Sequence, residues 1–187
     1  PHLIMQYNMS PETITDTKLD VSVNGLLERK CDLQQAYDND YAVAANGWCF
    51  VRDQKGLLPT LMQLYYDKRV IYKKEMLAAR QKYENTKDNH WQMEISRLNN
   101  LQMAMKILLN SAYGAFGNAY FRYFDIRIAE GITISGQLSI RWIANKLNEY
   151  FDKMLKVPKD RIVLIDTDSV VLTLADLVHK VYAVSYT

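Results

Sequence analysis

Two long helix-forming stretches dominate the sequence and restrict the folds that it can adopt. Residues 59–83 begin with a proline, contain no further Gly or Pro, and are rich in Leu, Met, Ala, Lys and Gln, which predicts one long helix. Residues 91–115 predict a second helix, because apolar side chains recur at three- and four-residue steps. Its predicted apolar face consists of Trp91, Ile95, Leu98, Leu101, Met105, Leu108 and Ala112. A polar connector, residues 85–89, joins the two helices, so we expect them to lie antiparallel.

Shorter elements flank this helix pair. Before it, Gly47–Val51 reads as a strand, and the turn Arg52–Gly56 followed by Leu57 and Leu58 predicts a β-hairpin. After it, residues 129–155 predict a third helix that ends before Pro158. Its predicted buried face consists of Leu138, Trp142, Leu147, Phe151 and either Met154 or Leu155.

The last part of the chain predicts a second hairpin. Residues 161–165 and 170–174 are short apolar strands, and only the four polar residues Asp166–Ser169 separate them. Residues 175–182 predict a final helix. The pattern therefore places two carboxylates, Asp166 and Asp168, at the tip of a hairpin.

Composition excludes several classes of protein. Apolar residues make up 49% of the 187 positions, enough for a packed core, and the net charge of +2 is too small to indicate a nucleic-acid partner by itself. Two cysteines, Cys31 and Cys49, do not form a disulfide framework and favour a reducing compartment. We find no signal peptide and no apolar run long enough to cross a membrane. The first residue is Pro1, and both ends read as cuts through a longer protein.

The paired aspartates are a candidate metal site. On a regular strand Asp166 and Asp168 would point to one face, and two carboxylates about 4 Å apart repel by roughly 4 kcal/mol. A divalent cation such as Mg²⁺ removes that repulsion, and a pair of such ions can activate a hydroxyl and stabilise a leaving pyrophosphate. The alternative reading is a solvated Asp-rich turn.

The second predicted helix carries a polar stripe that suits a nucleotide. Lys106, Asn110, Tyr113 and Gly117 share one face, roughly opposite the apolar face. A lysine can meet phosphate, a tyrosine ring can flank a base or sugar, and Gly114 and Gly117 permit close backbone approach. The alternative is an ordinary solvated helix face with glycines at its end.

The helix pair also concentrates positive charge. Residues 66–106 hold nine Lys or Arg against five acidic residues, in an otherwise nearly neutral chain. Arg69 and Lys73 lie one turn apart on the first helix, and in an antiparallel pair they can converge with Lys106 on one triphosphate. Taken alone, this excess is more typical of an ordinary charged helix surface.

Two ordered motifs together resemble DNA polymerases of family B. The run Lys106-Ile-Leu-Leu-Asn110-Ser111-Ala-Tyr113-Gly114 resembles their fingers motif, and Asp166-Thr-Asp168-Ser169 resembles their palm motif, at a fitting spacing. The segments around Gln6–Thr13 and Asn118–Arg127 look most like the polymerases of T-even-type phages. The similarity covers nearly the whole chain.

The resemblance implies an α+β fold, mostly helical. It consists of two long antiparallel fingers helices plus a partial palm with an Asp-bearing β-hairpin. The implied division is a palm and fingers-base segment at 1–58, fingers helices at 59–117, and palm with the metal-binding hairpin at 118–187.

The resemblance also implies residue roles and a reaction. Asp168 and Asp166 correspond to catalytic metal ligands in a two-Mg²⁺ site. The residues that hold the incoming dNTP correspond to Arg69, Lys73 and Lys106. The nascent base-pair pocket corresponds to Asn110, Tyr113, Ser111 and Gly114. The implied reaction is attack of the primer 3′-hydroxyl on the α-phosphate of a dNTP, with release of pyrophosphate. Primer–template DNA and dNTP are the implied partners, replisome proteins such as a sliding clamp would be met through regions outside this chain, and no membrane is expected. The implied location is the cytoplasm, that of the host cell for a phage protein.

Some positions depart from the family pattern. Leu164-Ile165 stands where Tyr-Gly usually precedes the palm motif, and the fingers connector is shorter than in the phage enzymes. Pro1 aligns with the proline that ends the first palm motif, so the partner carboxylate is expected just before it and the chain alone is expected to be nearly inactive. The alternative function is a non-catalytic, α-helical nucleic-acid-binding module. A reverse transcriptase would instead require a Tyr-x-Asp-Asp turn.

Overall fold

The computed structural model describes residues 1–185, with side chains described as far as Tyr182. Seven helices and five strands follow one another in this part of the chain. In chain order they are α1 (His2–Gln6), β1 (Ile14–Lys18), α2 (Val23–Leu27), α3 (Gln34–Asp38), β2 (Tyr41–Val43), β3 (Trp48–Val51), α4 (Leu57–Thr86), α5 (Asn89–Phe116), α6 (Ile126–Leu155), β4 (Ile162–Asp166), β5 (Ser169–Leu172) and α7 (Ala175–Ser185). The fold is therefore mostly helical with small antiparallel sheets, as predicted. Residues 186 and 187, which the third predicted segment includes, lie outside the described residues.

The long helices α4 and α5 lie antiparallel. The amino-terminal part of α4 shares a hydrophobic core with the carboxyl-terminal part of α5, where Met62 and Leu109 are both buried. Farther along, Met76 and Leu98 share a second, smaller core, and the Lys82 ammonium lies 4.4 Å from the ring centre of Trp91. These contacts run in opposite order along the two helices, which fixes their direction.

Local capping explains where the second and third long helices begin. The Asp88 side chain accepts a hydrogen bond from the amide of His90 at 2.9 Å, and the Asp125 side chain accepts one from Arg127 at the same distance. The third helix therefore starts at Ile126, three residues before the predicted Ala129, because Asp125 is its N-cap.

The first predicted hairpin is wrong. Trp48–Val51 does form a strand, but it is the central strand of a three-stranded antiparallel sheet, between β1 and β2. Phe50 pairs with Ile14 on one side and with Ala42 on the other, and its side chain is fully buried. Leu57 and Leu58 do not form a strand but begin α4.

Two predicted buried faces need correction. Leu108 was expected to be buried on α5, but it is 44% exposed, and the buried positions are Leu98, Gln102, Leu109 and Phe116. On α6, Trp142 is 51% exposed, whereas Ser135, Ala144 and Phe151 are buried. Helices α5 and α6 each pack against more than one neighbouring element. The contacts with those neighbours, including α4 and the sheet, decide which stripe of each helix is covered. A single apolar period cannot determine this.

The main core lies at the base of the helix pair. It brings together residues from α1, the three-stranded sheet, the base of α4 and α5, and the start of α6, including Ile4, Phe50, Phe116 and Ile128. The hydroxyl of buried Ser135 accepts a hydrogen bond from the amide of Ala45 at 3.0 Å, which ties α6 to the sheet. Within the described residues, no helix is long and apolar enough to cross a membrane.

Candidate functional site

The two aspartates lie at the end of the β4–β5 hairpin. Asp166 is the last residue of β4 and pairs with Ser169, the first of β5, so only Thr167 and Asp168 form the turn. Thr167 has a left-handed backbone with φ of 43°, and its hydroxyl donates to Asp166 Oδ1 at 3.0 Å. The prediction that Asp166 and Asp168 lie on one regular strand is therefore wrong, because the turn at Thr167 interrupts the alternating direction of side chains along the strand.

Both carboxylates face solvent. Asp166 and Asp168 are exposed, and among residues 1–185 neither forms an ion pair with a lysine or arginine. The Ser169 hydroxyl donates to the Asp166 carbonyl oxygen at 3.2 Å and thereby closes the turn. The arrangement presents hard carboxylate oxygens at an accessible protein edge, which is the donor type that Mg²⁺ prefers.

These carboxylates fit part of a metal site. Nowhere in the described chain do three His, Cys, Asp or Glu side chains cluster in a way that could hold a metal ion. The oxygen donors of Asp166 and Asp168 suit magnesium, whereas a two-metal site needs more ligands than this pair offers.

Arg69 and Lys106 each lie between the two cores of the helix pair. Arg69 is midway between Met62, in the core at the base, and Met76, in the core near the tip. Lys106 lies on the α5 segment between Leu98 and Leu109, which belong to the same two cores. The antiparallel packing thus places both cations between the two cores, with Lys106 nearer the base, three residues before Leu109.

Arg69, Lys73 and Lys106 have no acidic partner among the described residues. Arg69 is partly buried, and its buried Nε atom has no hydrogen-bond acceptor within the described structure. Lys73 and Lys106 are exposed, and neither joins an ion pair there. A buried donor without an acceptor costs about 1–3 kcal/mol, so an anion placed at Arg69 would be stabilised.

The end of α5 presents the other predicted pocket residues to solvent. Asn110, Ser111, Tyr113 and Gly114 are all exposed, whereas Leu109 and Phe116 of the same helix are buried. A methyl group added at Gly114 would meet no atom within 4 Å, so the backbone there borders open space. This is the access that close approach of a base or sugar would require.

Helix α6 lies between the aspartate turn and the helix pair in the contacts of the described residues. Helix α6 connects them, because it packs against α5 and against both strands of the hairpin. No hydrogen bond or ion pair among residues 1–185 joins Asp166 or Asp168 to Arg69, Lys73 or Lys106.

An exposed aromatic segment next to the end of α5 was not among the predicted site residues. Tyr120 is 98% exposed, Phe121 packs edge-on against Phe116 at 5.6 Å, and the Arg122 guanidinium lies 5.6 Å from the ring centre of Tyr123. Aromatic rings beside an arginine are the side chains on which bases stack. The sequence signal for this segment is the close spacing of Tyr120, Phe121, Tyr123 and Phe124 around the basic residue Arg122.

A largely apolar cavity of about 610 Å³ lies beside this segment. It is lined by the start of α4, the end of α5, Phe121 and Tyr123, and the turn containing Ser10 and Glu12. Segments this distant in sequence give no joint signal, so the cavity could not be predicted.

Comparison with known proteins identifies the family. A sequence profile described as DNA polymerase family B matches residues 1–184. The chain belongs to DNA polymerase family B. The match includes the aspartate turn, the Lys106 helix and the three-stranded sheet, so it does not rest on one motif.

Several relatives agree with this family B assignment. The DNA-directed DNA polymerase of Enterobacteria phage T4 is 30% identical over 223 aligned positions, and that of Escherichia phage RB69 is 29% identical over 227. Each alignment covers 97% of this chain but only 24% of the relative, so the chain spans about a quarter of their length. Because this chain has 187 residues, both relatives carry extra residues within the aligned span.

Two more distant matches complete the comparison. The DNA polymerase beta of African swine fever virus, Malawi isolate, is 30% identical over 155 positions, which cover 78% of this chain and 13% of the relative. The solved family B DNA polymerase of the archaeon Pyrobaculum calidifontis superposes with a TM-score of 0.57 over the whole chain, covering 21% of that structure at 22% identity. The second match shows a shared fold.

Proposed function

We propose that this family B chain forms part of the nucleotidyl-transfer centre of a DNA polymerase. The reaction is attack of a primer 3′-hydroxyl on the α-phosphate of a dNTP, with release of pyrophosphate. The observation that carries the proposal is the accessible, unpaired carboxylate pair of Asp166 and Asp168, in a chain that matches the family from residue 1 to residue 184.

Asp168 and Asp166 hold magnesium in this proposal, with Asp168 the main ligand. Family B polymerases generally use divalent metals. When bound there, such ions would supply Lewis-acid activation of the 3′-hydroxyl and charge neutralisation at the leaving pyrophosphate. The Thr167 hydroxyl holds one Asp166 oxygen, and the narrow turn fixes the spacing between the carboxylates. The remaining metal ligands lie outside this chain in the complete protein.

Arg69, Lys73 and Lys106 bind the triphosphate of the incoming dNTP. Arg69 offers a forked guanidinium whose buried Nε has no protein acceptor within the described residues, and the two lysines add mobile point charges. The segment 59–117 corresponds to the fingers and contains α5 and all of α4 except its first two residues. Residues 1–58 correspond to a palm and fingers-base segment, and residues 118–187 to the palm with the metal-binding hairpin.

Asn110, Ser111, Tyr113 and Gly114 form one wall of the pocket for the nascent base pair. Their exposure and the open space at Gly114 allow a base or sugar to approach the end of α5. Primer–template DNA and dNTP are the direct partners. A sliding clamp and other replisome proteins bind elsewhere on the complete polymerase, which acts in the cytoplasm of a host cell, as a phage-encoded enzyme would.

The metal assignment is tested by Asp168→Asn in the complete protein. The change keeps the side-chain shape but removes a charge that a hard cation requires, so we expect primer extension to fall by roughly three orders of magnitude or more while primer–template binding is retained. Asp53→Asn, at an exposed turn, is the matched control and should extend normally. Extension by Asp168→Asn at the control rate would refute the assignment.

The dNTP assignment is tested by Lys106→Ala. Loss of a phosphate contact should raise the dNTP concentration for half-maximal extension roughly tenfold or more and leave DNA affinity nearly unchanged, because the lysine touches the nucleotide and not the duplex. Lys55→Ala, in the turn before α4, is the control. Equal losses of dNTP and DNA affinity would assign Lys106 to a general DNA contact. Bound DNA without extension by the wild type would favour the non-catalytic nucleic-acid-binding module.

A further inference from the structure

Within residues 1–185, little hydrophobic burial holds the aspartate hairpin in place. Val163, Leu164 and Ile165 of β4 and Val171 of β5 are all exposed, and no residue of either strand is buried. Helix α6 packs against both strands of the hairpin. Among the described residues, the position of the turn therefore depends on what anchors the base of the hairpin.

The anchor is the side chain of Arg161, directly before β4. Only 1% of this side chain is exposed. Its Nη1 atom donates to Asp152 Oδ1 at 2.7 Å and to the Lys159 carbonyl oxygen at 3.0 Å, and its Nη2 atom donates to the Val157 carbonyl oxygen at 2.9 Å. The guanidinium thus joins α6, through Asp152, to the segment that leads into β4.

Arg161 also reaches α7 and the backbone of both strands. Its Nε atom lies 3.6 Å from Asp176 Oδ2 on α7, an ionic contact beyond hydrogen-bond length. Its amide donates to Asn148 Oδ1 on α6 at 3.0 Å, and its carbonyl oxygen accepts from the Thr173 amide, just after β5, at 2.9 Å. One residue therefore connects α6, α7 and the base of the hairpin.

The charges around Arg161 favour a structural anchor over an anion site. The cavity of about 350 Å³ beside it is also lined by Lys159, His179 and Lys180. However, Asp152 and Asp176 neutralise the guanidinium, and Asp176 also pairs with Lys159 at 3.1 Å. Lys180 Nζ is engaged by the Met154 carbonyl oxygen at 3.0 Å. Among the described residues the Arg161 Nε atom has no hydrogen-bond acceptor, but the guanidinium bonds one carboxylate and two carbonyl groups and lies near a second carboxylate, so its charge is paired within the protein.

We propose that Arg161 is a positioning residue that fixes where Asp166 and Asp168 stand. This inference rests on the proposed function, because it assigns the carboxylates to the metal centre. A strand advances about 3.3 Å per residue, so Asp166 lies roughly 17 Å from Arg161. A tilt of the hairpin by roughly 5° at Arg161 would therefore displace the Asp166 carboxylate by about 1.5 Å. Misplacement of about 1 Å costs roughly a hundredfold in rate at an enzyme centre.

Arg161→Met in the complete protein tests the anchor. Methionine fills a similar volume without the hydrogen bonds. The carboxylates of Asp152 and Asp176, the partners of Arg161, are about one-third exposed and remain hydrated, so folding should survive. Arg161→Lys keeps the charge but not the fork, and should recover part of the loss. Arg141→Met is the matched control, because Arg141 is an exposed α6 arginine whose one side-chain hydrogen bond among the described residues is to Asn24 at 2.8 Å.

Kinetics should separate positioning from folding. We expect the single-turnover rate constant of Arg161→Met to fall roughly ten- to a hundredfold, and the magnesium concentration for half-maximal rate to rise severalfold. The active fraction, measured as burst amplitude, and the affinity for primer–template DNA should match the control. A loss of burst amplitude with an unchanged rate constant and magnesium midpoint would reduce Arg161 to a folding role and overturn the proposal.

Hydrogen exchange of the metal-free protein gives a readout independent of activity. Amides of residues 162–172 should exchange faster in Arg161→Met, remain unchanged in Arg141→Met, and fall between the two in Arg161→Lys. Wild-type exchange and wild-type kinetics in Arg161→Met would overturn the proposal. If the wild-type protein itself fails to extend DNA, the proposed function fails, and the exchange result alone then decides whether Arg161 anchors the turn.

Discussion

The amino end of α4 is capped from 45 residues away, and this remote cap makes a sharp prediction. A carboxylate oxygen of Glu12 accepts the Leu57 amide, and Ser10 Oγ accepts the Leu58 amide at 3.3 Å. The residue in the N-cap position, Gly56, has no side chain to do so. A methyl group on Gly56 would lie 2.7 Å from Ser10 Cβ, so the glycine is what permits the remote segment to approach.

The cost of removing Glu12 follows from these contacts. Loss of a capping hydrogen bond costs about 1 kcal/mol, and loss of a negative charge at an exposed helix start costs about 0.3 kcal/mol more. Glu12→Ala should therefore weaken the first turn of α4 by about 1.3 kcal/mol, which is roughly a tenfold rise in local opening. Glu12→Gln keeps an acceptor and loses only the charge, so its effect should be roughly twofold.

Hydrogen exchange of the complete protein measures this directly. The relevant peptide covers residues 57–64, and an α5 peptide serves as an internal reference. Glu28→Ala, which removes an exposed glutamate paired with Lys30 at 2.6 Å, is the control for loss of one carboxylate elsewhere. We expect faster exchange only in the α4 peptide, and the exchange rate should be higher in Glu12→Ala than in Glu12→Gln.

Two results would refute this reasoning. Equal exchange in wild type, Glu12→Ala and Glu12→Gln would mean that the remote cap contributes nothing to α4. A uniform rise across α4 and α5 would mean that Glu12 acts on global stability and not on the helix start.

Two further predictions concern the helix pair and the start of α6. Leu98→Ala should destabilise the outer end of α4 and α5 by about 2–4 kcal/mol, because Leu98 is buried in the small core with Met76. The exposed control Leu77→Ala should cost no more than about 0.5 kcal/mol, and equal urea midpoints for the two would contradict the packing. At Asp125, burial raises the pKa, but hydrogen bonds from the Arg127 side chain and amide outweigh it, so the pKa of the folded carboxyl lies below its ordinary value. Its stabilisation is therefore present above the ordinary pKa and is lost as pH falls through the folded pKa. Asp125→Asn should cost about 1–2 kcal/mol at neutral pH, and its thermal midpoint should converge with that of wild type in acid, whereas a constant gap would exclude the Arg127 ion pair as the cause.

The elements with strong local signals were predictable from the sequence. The apolar period of α5, the lack of breakers in α4 and the four polar residues between two apolar runs gave helices and a hairpin within a few residues of their positions. Each of these signals comes from side chains close in sequence, so no knowledge of distant contacts was required. The exposed stripe with Lys106, Asn110 and Tyr113 also followed from helical spacing alone.

Only the tertiary structure decided what the distant residues do. Leu57 and Leu58 were expected in a strand, but Ser10 and Glu12 cap their amides and make them a helix start. Arg161, read from the sequence as the first residue of a strand, is instead a buried anchor with partners on α6 and α7. A capping acceptor 45 residues away and a guanidinium between two helices leave no periodic trace, because the energy of each contact depends on positions that only the folded chain brings together.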